Sequence, residues 1–563
     1  MKVCAAAAVV LAAWLAAAAA GAAGQEPLVR VSEGLVRGTT LSTRLNATVY
    51  SFLGVPYARP PVGDLRFRDP VAAESWDGVL DASRDREVCA QRTHPERKIV
   101  GHEDCLHLNV YTTRLLNDSD KSAELWDVVV LLHAGGFSHG SANSVDYCPD
   151  NLLDNPVVLV APNYRLGAFG FLSTGDGEAA GNYGLKDQLL ALRWVRRNVA
   201  AFGGDPGRVT LLGAQAGAAS AHLHMLSPRS QGLLHGAVSQ SGTALLPWAL
   251  VPLDVARERA LRLAELVGCR KRDLETSRAL LQCLRRKPAD EISRHSAGTM
   301  DRVSEMVYPF VPVVDRDFLP AHPARLMQEP GAGVPWMVGV ASHEGLPLAL
   351  QAMVFPALKD GLNDETEKFL VKFVGLDTVR PATTASSIAS QLWQFYMGND
   401  TLEYSTITQL AQIISDYHYF HGVLRSVRTQ SAARAAPIFV YEFAYNSRDN
   451  VMALGVPQGD DTEFLFPNII AEVKLVLKEK DVPLFNRLVR LVLNFAKHGN
   501  PTPGQSVELG NLTWPPATPD NFRFLRIAKE LTVETQFYPK RMAFWDNIQQ
   551  QLSTPASQVK DEL

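Results

Sequence analysis

The chain has no long run of lysine or arginine, and no long apolar stretch follows its first two dozen residues. Its 55 Lys and Arg residues are balanced by 59 Asp and Glu residues, so the formal net charge is −4. This pattern offers no basic surface for nucleic acid or for an anionic membrane. Without a second apolar segment, no membrane span is expected. The composition therefore argues against nucleic-acid-binding and membrane-spanning proteins.

Linkers and repeats are also absent. The 563 residues contain no Pro/Gly/Ser-rich stretch, charge block or internal repeat at which the chain could be divided. With 46% hydrophobic residues the chain can bury a large core. We therefore expect one domain over residues 24–559, although the length alone would favour several.

Both ends carry signals of the secretory pathway. Residues 1–23 contain Lys2, an Ala/Val/Leu run and then small residues, the layout of a signal peptide; a membrane anchor is the alternative. Residues 560–563 read Lys-Asp-Glu-Leu, which the retrieval receptor of the endoplasmic reticulum binds at a C-terminus. The two signals together predict a protein retained in the lumen of the endoplasmic reticulum.

Four Asn-x-Ser/Thr triplets fit glycosylation in that compartment. Their asparagines are Asn46, Asn117, Asn399 and Asn511.

Cysteines are few, and their number is odd once Cys4 is assigned to the signal peptide. The other five are Cys89, Cys105, Cys148, Cys269 and Cys283. In an oxidising compartment an odd number leaves one thiol over. Proximity in sequence favours the pairs 89–105 and 269–283, which leaves Cys148 free or available for an intermolecular bridge.

Apolar β-branched runs alternate with helical patterns, which predicts an α/β sheet with crossover helices. Strands are predicted at 128–132, 157–160, 208–212, 337–340 and 437–443, and helices at 185–202, 255–267 and 483–497. Because sites in parallel sheets lie at the carboxyl ends of strands, Gln215, directly after the third strand, is a candidate site residue.

Residues 213–217 read Gly-Ala-Gln-Ala-Gly. This is the spacing of the G-x-S-x-G elbow, which presents a nucleophilic serine on a tight strand-to-helix turn. The serine is missing, however. A carboxamide has a delocalised nitrogen lone pair and no proton that a histidine could usefully remove, so Gln215 cannot act as the nucleophile.

Several further segments, in one order along the chain, resemble the carboxylesterase/cholinesterase (type-B carboxylesterase) family. They are 52–58 (FLGVPYA), 103–110 (EDCLHLNV), 163–172 (NYRLGAFGFL), 181–188 (GNYGLKDQ), 202–206 (FGGDP) and 239–242 (SQSG). The resemblance runs from about residue 27 to 548. It implies an α/β-hydrolase fold with a mostly parallel central sheet and helices on both faces, no metal or other cofactor, and the two disulfides suggested above.

The resemblance also assigns the positions of a Ser-His-acid triad. The acid is retained as Glu344 in the segment 342–345 (SHEG). The nucleophile position is Gln215, and the histidine position, in 456–466 (VPQGDDTEFLF), is Gln458.

The oxyanion loop corresponds to 133–137 (HAGGF), where Ala134 replaces the family's first glycine. Its donor positions are Gly135 and Gly136, with a third N–H from Ala216.

Two of three triad residues are therefore replaced, and the loss of either one in a triad hydrolase removes roughly 10⁶-fold of kcat. The sequence predicts a catalytically degenerate member that binds a lipophilic ester or acid, or a partner protein, without hydrolysing it. One alternative is an active ester hydrolase with an atypical site, for which Ser220, Cys148 and His343 are the residues to consider. The other is an interaction module of the adhesion or folding type. The sequence leaves the oligomeric state open.

Overall fold

A computed structural model describes residues 26–553 except 94–96, 117–122, 300–307, 331–332, 355, 375, 377–380, 448–453 and 467–477. The predicted signal peptide, the C-terminal retrieval signal and Asn117 lie outside the described residues.

The described strands are β1 (Leu28–Val31), β2 (Gly34–Arg37), β3 (Thr39–Ser42), β4 (Thr48–Pro56), β5 (Val79–Asp81), β6 (Gln91–Arg92), β7 (Ile99–Val100), β8 (His107–Thr112), β9 (Trp126–Leu132), β10 (Val157–Pro162), β11 (Gly204–Ala214), β12 (Gly236–Gln240), β13 (Trp336–Ala341), β14 (Ile438–Phe443), β15 (Phe524–Ile527) and β16 (Leu531–Glu534).

The described helices are α1 (Gly167–Phe171), α2 (Tyr183–Asn198), α3 (Ala216–Leu226), α4 (Leu253–Leu266), α5 (Ser277–Arg285), α6 (Ala289–Ser296), α7 (Pro323–Gln328), α8 (Leu346–Val354), α9 (Pro356–Asp364), α10 (Thr366–Phe373), α11 (Ala382–Tyr396), α12 (Ile407–Ser415), α13 (His421–Ala433), α14 (Asp460–Leu465), α15 (Val482–His498) and α16 (Pro539–Ser553).

One large sheet of eleven strands organises the molecule, in the order β16-β15-β14-β13-β12-β11-β9-β10-β8-β4-β3. From β15 to β10 all neighbours are parallel. Antiparallel strands extend the sheet at both edges. The five predicted strands are β9, β10, β11, β13 and β14, and the three predicted helices fall on α2, α4 and α15. These predictions are confirmed.

Helices cover both faces of the sheet, as the side chains of β9 show. Val128 and Val130 pack in one core, to which α2 and α3 contribute. Val129 and Leu131 point the other way, into a second core with residues of α15. Since side chains of a strand alternate between faces, a run that is apolar at every position requires such a two-sided burial.

The two predicted disulfides are present, Cys89 to Cys105 and Cys269 to Cys283. The expectation that Cys148 is free is wrong, because this buried residue is disulfide-bonded.

The three described acceptor asparagines, Asn46, Asn399 and Asn511, are exposed, as glycosylation would require. Within the described ranges no helix is long and apolar enough to cross a bilayer.

Candidate functional site

Gln215 lies at the tip of the turn between β11 and α3. Its backbone has φ 49° and ψ −114°, a conformation that is costly for any residue with a side chain. Its N–H donates to the Gln240 carbonyl at 2.8 Å, and its carbonyl accepts from the Ala219 N–H at 2.9 Å. The strained turn that presents a nucleophile in an elbow is therefore formed around a glutamine.

The two glycines of the motif are required by close packing of the backbone. A Cβ on Gly217 would lie 2.0 Å from the carbonyl oxygen of Leu132, at the end of β9. A Cβ on Gly213 would lie 2.2 Å from the backbone of Gly217. Helix α3 thus starts in direct contact with the end of the neighbouring strand, whatever side chain residue 215 carries.

Gln215 and Gln458 form an amide–amide hydrogen bond. The Gln215 Nε2 donates to the Gln458 Oε1 at 2.5 Å, and both side chains are half-buried. The loop of Gln458 is held against the segment after β13, because the His343 N–H donates to the Val456 carbonyl at 2.9 Å. The bond has the direction of a serine donating to a histidine, but neither amide can be deprotonated at neutral pH.

Glu344 is next to this pair and is 1% exposed. Its Oε1 accepts from the Ala341 N–H at 2.8 Å. Burial raises the pKa of Glu344 to about 8, against smaller lowering effects of hydrogen bonding by Ser241, Ala341 and Gln458. The carboxyl is therefore largely protonated at pH 7, and no charged partner is needed to stabilise it.

The contact between Glu344 and Gln458 is incomplete. The Glu344 Oε2 and the Gln458 Nε2 are both buried without a hydrogen bond of normal geometry. Gln458 nevertheless lies near enough to lower the pKa of Glu344. The structure thus brings all three predicted triad positions together, in the order 215, 458, 344.

The predicted oxyanion donors lie beside this chain of side chains. Ala216 is the first residue of α3, so its N–H has no acceptor inside the helix. The N–H groups of Gly135, Gly136 and Ala216 donate to no other residue in the described part of the chain. A Cβ on Gly217 would also lie 2.9 Å from the His133 carbonyl, so the loop that begins at His133 adjoins the start of α3. Unused N–H groups at a helix N-terminus suit a carbonyl or carboxylate oxygen.

The imidazole of this loop contributes no charge. Burial lowers the pKa of His133 to about 4, and its ring stacks on Tyr164 with 4.2 Å between centroids. His133 is therefore neutral at pH 7, and the loop would hold a ligand oxygen through N–H groups rather than through a cation.

Two other residues considered as replacements have structural partners. Ser220 is fully buried, and its Oγ accepts from the Gln188 Nε2 at 3.3 Å. The Nδ1 of His343 is 2.9 Å from the Ser342 Oγ, and burial lowers the pKa of His343. No hydrogen bond joins His343 to Glu344 among the described residues. Neither Ser220 nor His343 is arranged as part of an alternative catalytic pair.

Sequence reasoning missed Tyr308, whose ring lies directly on Gly136. A Cβ on Gly136 would lie only 1.8 Å from the Tyr308 Cζ. No motif surrounds Tyr308, so no signal in the sequence could have connected it with the loop. It also missed Ser241, a neighbour of Glu344 with φ 59°, although 239–242 was one of the segments that carried the resemblance.

Two cavities of the described residues lie elsewhere. One is lined by Cys89 and Cys105 of the first disulfide, and the other lies between α11 and α16. Neither is lined by Gln215 or Gln458. In the described ranges no group of three or more His, Cys, Asp and Glu side chains is placed to hold a metal ion.

Comparison with known proteins identifies the family of this chain. A sequence model of the carboxylesterase family matches residues 25–545. The chain belongs to the carboxylesterase family. Within the family it is 33% identical to esterase FE4 of Myzus persicae over 534 residues, 91% of both chains. It is 34% identical to the juvenile hormone esterase of Tribolium castaneum over 517 residues, which cover 87% of this chain and 86% of that protein.

An acylcarnitine hydrolase of Rattus norvegicus is 33% identical over 533 residues, 91% of this chain and 89% of the relative. Membership confirms the predicted α/β-hydrolase fold, and the family to which the chain belongs is one of carboxylic ester hydrolases.

Proposed function

We propose that this carboxylesterase-family protein binds a lipophilic ester or carboxylic acid in the lumen of the endoplasmic reticulum without hydrolysing it. The observation that carries the proposal is the hydrogen bond between Gln215 and Gln458 at the two positions where the chemistry of the family requires a nucleophile and a base. Both groups are neutral amides with no usable proton transfer at pH 7.

The ligand class follows from what the site retains. The N–H groups of Gly135, Gly136 and Ala216 can donate to a carbonyl or carboxylate oxygen, and the Gln215 Nε2 has a second hydrogen beyond the one given to Gln458. Relatives are named for juvenile hormone and acylcarnitine as substrates. We infer from these names that an ester or acid with an apolar chain suits this site.

The cellular location is part of the same proposal. Residues 1–23 as a signal peptide, residues 560–563 as a retrieval signal and glycans on Asn46, Asn117, Asn399 and Asn511 are consistent with one another. The two intrachain disulfides support an oxidising compartment. The domain would then span residues 24–559.

A second candidate is an active ester hydrolase with an atypical site, which the unused N–H donors beside Gln215 favour. The third, an adhesion- or folding-type interaction module, would use the surface and leave the site empty.

The first experiment is hydrolysis of short- and long-acyl aryl esters by secreted, purified residues 24–559. Wild type is compared with the single variant Gln215→Ser and the double variant Gln215→Ser/Gln458→His. We expect wild type and the single variant to stay at the background rate, because a serine without a base is a poor nucleophile. The double variant should exceed wild type by roughly 10³-fold or more in kcat.

Turnover by wild type, abolished by a serine-reactive phosphonate, would favour the active hydrolase and overturn the proposal. Binding is then measured by calorimetry with octyl acetate and octanoic acid as probes. Saturable binding to wild type supports the proposal. No binding by any variant would contradict it and favour the interaction module, for which co-purifying proteins from the lumen would be identified.

A further inference from the structure

Two short basic runs each follow a cysteine of the second disulfide. Residues 270–272 read Arg-Lys-Arg, and residues 285–287 read Arg-Arg-Lys. The segment 268–287 holds seven Lys and Arg residues against two Asp and Glu residues. Each run alone is too short to form a basic surface, so their arrangement in the folded chain decides whether they act together.

The disulfide brings the two runs together. The Cα atoms of Cys269 and Cys283 are 6.1 Å apart. A Cβ on Gly268 would lie 3.7 Å from the Lys287 Nζ, so the last residue of the second run reaches back to the start of the first. The six basic residues therefore lie side by side at one place on the molecule.

The backbone of the second run is fixed from beneath by Arg66, which is 7% exposed. The Arg66 Nη1 donates to the carbonyls of Leu284, Arg285 and Lys287 at 3.0, 3.2 and 2.6 Å. Its Nε donates to the Glu103 Oε1 at 2.6 Å. Since a buried guanidinium holds this backbone, a partner would bind it at little cost in ordering the chain.

The side chains of these runs are available to a partner. Residues 270–272 and Arg286 are exposed, and none of them forms an ion pair with a described residue. By contrast, Arg278 of the same loop pairs with Glu178 at 2.7 Å. The positive charge of the two runs is therefore not neutralised by acidic neighbours in the described part of the chain.

Helix stability accounts for only one of the runs. Arg285 and Arg286 lie at the C-terminal end of α5, where cations are favourable. Residues 270–272 lie at the start of the short turn Lys271–Leu274, where cations are unfavourable. Asp273 supports this turn by accepting from the Arg270 N–H at 3.0 Å. The local backbone therefore does not explain the first run.

We propose that residues 270–272 and 285–287, the basic patch, bind an acidic polypeptide segment of a partner protein. Four of the six side chains are arginines, whose planar guanidinium groups form paired hydrogen bonds with carboxylates. A single exposed ion pair contributes little, so several cations on a fixed backbone are what such a segment requires. This binding does not depend on what occupies the site at Gln215.

Other anionic partners fit the patch less well. The chain as a whole has a formal net charge of −4, so outside this segment acidic residues outnumber basic ones. A long polyanion would extend over that negative surface, whereas a short acidic segment contacts the patch alone. No exposed large apolar side chain of the described residues lies between positions 253 and 299, so the patch has none to insert into a membrane.

The test measures binding of a fluorescent oligoglutamate peptide to the purified protein at low salt, by fluorescence polarisation. The patch variant is Lys271→Glu/Arg286→Glu, which reverses one charge in each run. The matched control is Lys529→Glu/Lys540→Glu. It changes the net charge by the same amount at exposed residues of the β15–β16 turn and of α16.

We expect oligoglutamate to bind wild type, and oligoglutamine of equal length not to bind. The patch variant should lose at least about tenfold in affinity, because each reversed charge removes an attraction and adds a repulsion. The control variant should stay within about twofold of wild type, and added salt should weaken binding.

A third variant tests whether the two runs act as one surface. Cys269→Ser/Cys283→Ser keeps every basic side chain but removes the bridge, so its affinity should fall by about threefold or more. If this variant does not fold, the single variants Lys271→Glu and Arg286→Glu replace it, and each of them should weaken binding.

Three results would overturn the proposal. The first is no binding of oligoglutamate, or equal binding by wild type and the patch variant. The second is an unchanged affinity when the bridge is removed, which would show that the runs do not form one surface. The third is tighter binding of a heparin oligosaccharide than of a peptide of equal charge, lost in the patch variant, which would assign the patch to a sulfated glycan.

Discussion

The two halves of the candidate site differ in how they are built. One half is made of backbone: the N–H groups of Gly135, Gly136 and Ala216 and the turn at residue 215. The other half is made of side chains, namely Gln215, Gln458 and Glu344. The backbone half keeps the N–H groups proposed as donors to a ligand oxygen, whereas Gln215 and Gln458 stand at the positions proposed for a nucleophile and a base.

Packing explains why the halves can diverge. The backbone half is constrained by the contact of Gly217 with the Leu132 carbonyl, which any change would disturb at the centre of the sheet. The side-chain half is constrained by hydrogen bonds, among them the bond from Gln215 to Gln458 and the bond from the Ala341 N–H to Glu344. Gln215 and Gln458 bond to each other, whereas the Glu344 Oε2 and the Gln458 Nε2 lack a hydrogen bond of normal geometry, so this half can change without a change in the backbone half.

The first prediction tests the rigidity of the backbone half. In Gly217→Ala the new Cβ must displace the Leu132 carbonyl, so we expect a loss of stability on the order of 3 kcal/mol or more and loss of ligand binding. The measurement is calorimetric Tm together with octyl acetate binding. Gly177→Ala is the matched control, since a Cβ there meets no atom within 4 Å. Equal Tm values for the two variants would show that the contact does not constrain the site.

The second prediction concerns charge in the side-chain half. The Glu344 carboxyl has a pKa of about 8 in the folded chain, against an ordinary value of 4.5. Between these values folding takes up a proton, so stability falls as pH rises, by up to about 1.4 kcal/mol per pH unit. Glu344→Gln removes this contribution. We therefore measure the free energy of unfolding of both proteins by urea denaturation. The difference, variant minus wild type, should increase steadily from pH 5 to pH 8.

Asp461→Asn is the control for that experiment. Burial raises the pKa of Asp461 from 3.8 to about 6. The titration of Asp461 therefore makes stability depend on pH mainly below about pH 6, whereas that of Glu344 extends to about pH 8. Above pH 6.5 Asp461→Asn should change the slope less than Glu344→Gln does, because Asp461 then acts only through its charge, which raises the pKa of Glu344. Parallel curves for wild type and Glu344→Gln would mean that Glu344 is ionised in the folded protein.

The smallest expected effect is a difference in stability between two variants at Gln215, which separates the strain of the backbone from the loss of the side chain. Gln215→Ala and Gln215→Gly both lose the hydrogen bond to Gln458, but only glycine adopts φ 49° without strain. The glycine variant should be more stable than the alanine variant by about 1 kcal/mol, measured as a difference in urea midpoint. If alanine were the more stable of the two, the turn would hold no strain.

Much of this architecture was predictable because its physical causes are local. The apolar β-branched runs of β9 and β10 indicate strands buried on both faces, and the apolar period of residues 185–202 indicates a helix where α2 lies. Gln215, Gln458 and Glu344 were found through segments that resemble a family, and the structure places them together.

The remainder depends on contacts between distant parts of the chain. Nothing near Tyr308 indicates that its ring lies on Gly136, because that contact is made by the packing of Phe310 and Val311 into the core. The protonation of Glu344 could not be predicted either, since it arises from burial that only the assembled sheet produces. The disulfide bond of Cys148 could not be predicted either, since proximity in sequence favoured only the pairs 89–105 and 269–283.

The hydrogen bond between Gln215 and Gln458 joins residues 243 positions apart. It can form only after the parallel strands from β11 to β14 have assembled and brought the following loop to the end of α3. Unfolding of the sheet therefore separates the two residues. In hydrogen-exchange experiments, protection of the N–H groups around this pair should follow the stability of the whole sheet.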